Sequence, residues 1–185
     1  MNRLATSKEA ILAVSRELIK ENGWAAISIR AVASRCAVST GTIYNYYASK
    51  ADLLADTIES IWREIFLHPQ DETVFQDVAQ CIEWIYARLA YGNQRFPGFF
   101  SLHSLGFMRE ERTNGKKRMM EAWGHILNGL CDVLKKDPKR RADAFDPEFT
   151  EEQFADILFS LILVSMIRQD YDPTPVLTLV NKTIY

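Results

Sequence analysis

The stretch Ser28-Ile-Arg-Ala-Val-Ala-Ser-Arg-Cys-Ala-Val-Ser-Thr-Gly-Thr-Ile-Tyr-Asn-Tyr-Tyr-Ala-Ser-Lys50 decides how the chain folds. Ser28 is a good N-cap for a helix over about Ile29 to Cys36, because its hydroxyl can accept from a free amide of the first turn. Ile29, Val32, Ala33 and Cys36 recur three and four apart and share one face, which leaves Arg30, Ser34 and Arg35 outside. Ala37-Val38 forms a turn. Ser39 caps a second, very short helix that begins Thr40-Gly41-Thr42 and is anchored by Ile43. Its outward residues, Thr40, Gly41, Thr42, Tyr44 and Asn45, are small or polar. Such a helix cannot stand alone, but its shape suits entry into a DNA major groove, where a few side chains reach base edges. Two helices joined by a tight turn, the second polar at its start, make a helix-turn-helix.

These residues carry a family resemblance. Val32-Ala33, Val38-Ser39, Gly41-Thr42-Ile43-Tyr44, Tyr46-Tyr47, Ser49-Lys50 and Leu53 fall at the spacing of the amino-terminal signature of the tetracycline-repressor (TetR) family. The likeness runs over residues 7 to 54. Where the family usually has Ala-Gly before Val-Ser, this chain has Cys36-Ala37. Gly relaxes a turn that calls for positive φ, and Ala there costs stability. The resemblance implies DNA-binding roles for Ser28, Arg30, Ser39, Thr40, Gly41, Thr42, Tyr44, Asn45, Tyr46 and Lys50. Thr40 and Thr42 would face bases, and Tyr44, Tyr46 and Lys50 phosphates. Ser28 and Arg30 would touch the backbone across the groove. Tyr47 takes the family's Phe position and is expected to pack inward.

The charge is distributed in keeping with this. The net charge is −2, which argues against a general nucleic-acid coat. Residues 1–50 hold seven Lys and Arg against three Glu, a balance of +4 that leaves −6 for the remainder. A basic head on an acidic body can orient on DNA without coating it. The three cysteines, Cys36, Cys81 and Cys131, lie far apart without metal-ligand spacing, so free thiols in a reducing cytosol are expected. The amino terminus is polar up to Ala10, unlike a secretory leader. The apolar run from Ile157 to Ile167 is about half of what spans a bilayer. A cytoplasmic protein without a membrane segment is the expectation.

No stretch alternates with period two, so the fold class is all-α: a three-helix helix-turn-helix domain over 1–48 and a helical ligand-binding and dimerisation domain over 49–185. Thr6 and Glu9 read as a capping box opening the first helix, and Asn22-Gly23 closes it. Ser49 caps a fourth helix ended by His68-Pro69. Further helices are expected from about Glu72 to Tyr91, Lys117 to Lys136, Thr150 to Asp170, and beyond Pro175.

In the second domain, Phe66, Trp84, Phe100, His103, Phe107 and Trp123 belong to an aromatic set that reads either as core or as the lining of an apolar pocket with a few polar groups. The resemblance favours a pocket for a small-molecule effector. Phe154, Leu158, Leu161, Ile162 and Ser165 form a wide stripe that reads as a central core helix or, by the resemblance, as part of a homodimer's four-helix bundle. The basic run Lys135-Lys136 and Lys139-Arg140-Arg141 suits a solvated helix end better than a second nucleic-acid patch. Nucleophile–base pairs, phosphate loops and metal motifs are absent from the sequence, so no enzyme, cofactor or metal is expected. The expected partners are double-stranded operator DNA, a small effector and a second copy of the chain. The fourth helix would be the lever joining head to body.

Overall fold

The computed structural model describes residues 6–66, 75–100 and 114–185, with the side chains of the last span described from Trp123 onward. Eight α-helices lie within them: α1 (Lys8–Asn22), α2 (Ile29–Arg35), α3 (Thr40–Tyr44), α4 (Lys50–Phe66), α5 (Val78–Arg95), α6 (Asn114–Lys136), α7 (Glu151–Arg168) and α8 (Thr174–Thr183). A 3-10 turn, Trp24–Ala26, links α1 to α2. The all-α expectation holds, and no strand occurs among the described residues.

The chain divides into two compact units, Met1–Gln70 with Gly92–Phe99, and Asp71–Tyr91 with Phe100–Tyr185. The whole of α4 therefore lies in the first unit, and α5 is the helix shared between the two.

Local signals set the ends of the first unit's helices. Ser7, not Thr6, caps α1, accepting from the Ala10 amide at 3.1 Å. At the other end Gly23, at φ 73°, donates its amide to the Ile19 carbonyl at 2.8 Å, a backbone geometry that glycine adopts without penalty. Ser28 and Ser39 cap α2 and α3 as expected, each accepting from the amide three residues on. Ile11, Ile19, Val32, Ile43 and Leu53 are fully buried and join α1 to α4 in one core. Burial of such side chains contributes about 1.5–3 kcal/mol each, and that tertiary term is what keeps the five-residue α3 helical. Tyr47 is 3 % exposed, as its place in the pattern predicts.

A second cluster holds the last turn of α5 in this unit. Glu64 of α4 meets Arg16 at 3.1 Å, Arg95 at 3.3 Å and Lys20 at 3.5 Å. Beside it Phe99 stacks on Trp24, with centroids 5.7 Å apart, and meets Trp62 edge-on at 5.4 Å.

In the second unit α5 begins at Val78, six residues later than periodicity suggests, because Asp77 is its cap: the carboxylate accepts from the Gln80 amide at 2.8 Å. It also continues through Gly92 to Arg95. Gly92 is buried, so the helix is supported where an exposed glycine would weaken it. Thr150 and Gln153 form the expected capping box of α7. Phe149 and Phe154 flank that cap with ring centroids 5.7 Å apart, a hydrophobic staple that sets the entry angle of the chain.

Three cations of the basic run at the end of α6 and just beyond it stitch this unit together. Lys135 pairs with Glu152, Arg140 with Glu151 and Lys139 with the buried Asp77, each at 2.6 Å. Between them Asp137, also buried, accepts from the Val78 amide at 2.9 Å, the Lys139 amide at 2.8 Å and the Tyr185 hydroxyl at 2.6 Å. Cys81 and Cys131 are buried free thiols.

Candidate nucleic-acid interface

Position 37 shows how the turn is built. Ala37 sits at φ 55°, the left-handed region that the Cys36-Ala37 departure anticipated. Its amide donates to the Ser34 carbonyl at 3.1 Å, and the Val38 amide to the Ala33 carbonyl at 3.0 Å. This bond pattern reverses the chain and sets α3 against α2.

Because Ile43 points inward with no exposure, the rest of α3 faces out. Ser39, Thr40, Gly41, Tyr44 and Asn45 are exposed, and Thr42 is half-buried. Tyr44 is 53 % exposed, a large apolar ring left in water by the free protein. An added Cβ on Gly41 would meet only the Ser39 Oγ, at 3.6 Å, which is ordinary van der Waals distance. Packing therefore gives no reason for glycine here. The Ser39 Oγ lies 3.1 Å from the Thr42 amide, from which it accepts, and 3.0 Å from the Thr42 hydroxyl. The Thr42 side chain is thus oriented before any partner arrives.

Around this strip lie the other candidates. Ser28 is half-buried and accepts from the Ala31 amide at 3.1 Å, which leaves its own proton free to donate. Arg30 and Lys50 are exposed, and among the described residues no ion pair holds either of them. Arg35, by contrast, is engaged by Glu21 through both carboxylate oxygens. Lys50 opens α4, whose first turn is capped by Ser49 through the Asp52 amide at 3.1 Å. Tyr46 differs from the rest: its hydroxyl donates to the Thr6 carbonyl at 2.7 Å.

Among the described residues of the first unit, two buried side-chain polar atoms have no hydrogen-bond partner, the Trp24 Nε1 and the Tyr47 hydroxyl. Burial pushes the Tyr47 pKa up strongly, and the carboxylates of Asp56 and Glu9 add to the effect, so the phenol stays protonated.

The predicted effector residues that are described fall in both units. Phe66, in the first unit, stacks on Trp62 at 5.4 Å. In the second unit Trp84 meets Phe75 at 5.4 Å, Phe100 meets Tyr171 at 6.3 Å and Trp123 meets Phe159 at 5.8 Å. His103 and Phe107 lie outside the described residues. Tyr171 was missed by sequence reasoning. Its hydroxyl is buried with no hydrogen-bond partner, and that burial pushes its pKa up to about 12. An isolated Tyr near a helix end carries no signal of such an orphan group.

Most of the predicted stripe takes the core-helix alternative of its reading. Phe154, Leu158 and Ile162 are 1 %, 0 % and 4 % exposed within a single chain, so they belong to the unit's own core. The Ser165 hydroxyl lies 2.8 Å from that of the buried Tyr86 and is likewise turned inward. The opposite side of α7 carries Ile157, Val164 and Ile167, all exposed, with Leu161 half-buried between them. Because α7 is apolar on both sides, periodicity could not say which side faces its own chain.

Among the described residues no cluster of His, Cys, Asp and Glu could hold a metal, and no helix is long and apolar enough to cross a membrane.

Residues 11–57 match the family model for bacterial regulatory proteins of the tetR family. An uncharacterized HTH-type transcriptional regulator of Lactococcus lactis is 28 % identical over 90 residues, covering 45 % of this chain and 46 % of that protein. The HTH-type transcriptional regulator UidR of Escherichia coli is 38 % identical over 48 residues, 26 % of this chain and 24 % of UidR. The chain thus spans less than half the length of these curated relatives. Likeness of fold extends further. A TetR transcription regulator from Haloarcula marismortui superposes with a TM-score of 0.69 at 17 % identity, over 96 % of this chain and 98 % of that one. A FadR from Bacillus subtilis, solved in complex with stearoyl-CoA, gives 0.59 at 18 % identity, over 95 % and 96 %.

Proposed function

We propose that the chain, whose residues 11–57 match the tetR family model, is a regulator of that family: a ligand-responsive transcriptional repressor acting as a homodimer on a palindromic operator. The observation that carries the DNA reading is the exposed strip Ser39–Asn45. It is small at Gly41, hydroxylated at Thr40 and Thr42, and anchored from beneath by Ile43. Thr40 and Thr42 read base edges in the major groove, Tyr44 and Lys50 bind phosphates, and Ser28 and Arg30 bind the backbone across the groove. The homodimer reading is supported by Ile157, Leu161, Val164 and Ile167, an apolar edge on a helix whose other side is already core.

The effector is a small, mostly apolar molecule. Phe100, Trp123, Tyr86 and the unpartnered Tyr171 hydroxyl supply aromatic surface with a few polar groups. Its binding favours a spacing of the two heads that does not fit successive major grooves. A mobility shift on DNA flanking the protein's own gene tests the reading. A retarded band that survives excess random DNA supports it, and indifference to sequence removes the operator.

A further inference from the structure

The Tyr46 hydroxyl has one proton, and that proton is already used. It donates to the Thr6 carbonyl at 2.7 Å, in a partly buried site, across 40 residues of sequence. A phosphate oxygen can only accept, and so can a carbonyl oxygen. Tyr46 can therefore serve Thr6 or a phosphate through its proton, not both at once. What it holds is specific. Thr6 directly precedes Ser7, the residue that caps α1 through the Ala10 amide at 3.1 Å. Tyr46 itself follows directly on α3 and its cap Asn45, and its amide donates to the Ile43 carbonyl at 3.0 Å. The bond thus runs from the exit of the short helix that faces the groove to the entrance of the helix that braces it. A five-residue helix has too few bonds of its own to fix its direction, so an external tether at its exit bears directly on its aim.

We propose that Tyr46 is a positioning residue, which fixes the aim of α3 by tying its exit to the cap of α1 through Thr6, and that it is not a phosphate ligand. This inference rests on the DNA-binding reading above. It separates Tyr46 from Tyr44, which is 53 % exposed and has its hydroxyl free to meet a phosphate. It also makes the conservative change Tyr46→Phe informative, since the ring keeps its packing and only the tether is lost.

The test uses the full-length protein and a set of operator duplexes, each with a single neutral methylphosphonate in place of one phosphate. Tyr46→Phe is compared with wild type at a temperature where circular dichroism shows both fully folded. Amide hydrogen exchange is followed on the DNA-free proteins. The expected result is a loss of operator affinity on the order of two- to tenfold, the scale of one hydrogen bond. That loss is the same on every methylphosphonate duplex, and exchange at Ala10 and in the first turn of α1 is faster in the variant. A phosphate position whose neutralisation weakens wild type but not Tyr46→Phe would make Tyr46 a phosphate ligand and overturn the proposal. Unchanged affinity in the folded variant would reduce the bond to ordinary structural support and overturn it as well. Failure of wild type itself to bind any duplex sinks the DNA reading instead, and the exchange data still report whether the tether exists in solution.

Discussion

Gly41→Ala is the perturbation for which folding and DNA binding are expected to move in opposite directions. The added methyl group meets nothing closer than the Ser39 Oγ at 3.6 Å, and position 41 does not have positive φ. The fold can therefore accept it without rearrangement. Replacing a helical glycine by alanine is then worth about 0.5–1 kcal/mol of stability, because the unfolded chain loses freedom and the helix loses none. In a chain of 185 residues that raises Tm by about 2 °C. On DNA the same methyl group stands on the exposed strip between Thr40 and Thr42. If that strip lies against base edges, the group is forced into an already packed contact at a cost of about 1–3 kcal/mol per head. That is roughly tenfold or more in Kd. Thermal unfolding by circular dichroism and fluorescence anisotropy on a labelled operator read the two effects separately. A variant with raised Tm and undiminished operator affinity would refute the placement of this strip at the DNA. A lowered Tm would refute the claim that glycine is there for something other than packing.

Other perturbations test individual parts of the argument. Ala37→Gly relieves the φ of 55° and should stabilise the protein by up to about 1 kcal/mol, after the entropy of glycine offsets part of the relieved strain; urea unfolding checks it. Tyr47→Phe removes a buried hydroxyl with no partner and should gain about 1 kcal/mol in the same assay; a loss would show that the hydroxyl is satisfied in solution. Leu161→Asp should split the proposed dimer while each subunit stays folded, whereas Ile162→Asp, at a position 4 % exposed, should prevent folding. Sedimentation and circular dichroism together tell these outcomes apart.

The acid limb of the stability profile should respond to two lysines. The Lys135 hydrogen bond, followed by backbone and Thr150 bonds, holds Glu152 at about 2. In Asp77 burial alone would raise the pKa, but the bond from Lys139 and the amides of Gln80 and Ala79 outweigh it, and the carboxyl ends below its usual value. Both folded values lie below the unfolded ones, so the unfolded chain takes up these protons first. The stabilisation is complete above about pH 4.5 and fades as pH falls towards 2. Removing both cations, in Lys135→Met with Lys139→Met, should lower stability at neutral pH and make its decline below pH 4.5 shallower. An unchanged slope would mean that these pairs are not formed in solution.

The helix-turn-helix was legible in the residues because everything that specifies it is local. Ser28 and Ser39 find their amide partners three residues away, Gly23 closes α1 within four, and the spacing of Ile29, Val32 and Ala33 marks the inner face. Even the strain at Ala37 could be anticipated from a single departure in the motif. The same holds for the Thr150–Gln153 capping box, whose two bonds span three residues. Other features depended on partners that periodicity does not see. The first turn of α5 is set in part by Asp137, 59 residues away, and that carboxylate is held in turn by Tyr185. The Tyr46 hydroxyl finds Thr6 at the other end of the head, which no spacing rule connects to it. On α7 both sides are apolar, so hydrophobic pattern alone left its inner and outer faces equivalent. Packing of the chain assigned Leu158 and Ile162 to the core and left Ile157, Val164 and Ile167 outside. Capping and turn chemistry act within a few residues and can be read in one dimension, whereas the choice between two apolar faces is made by the rest of the fold.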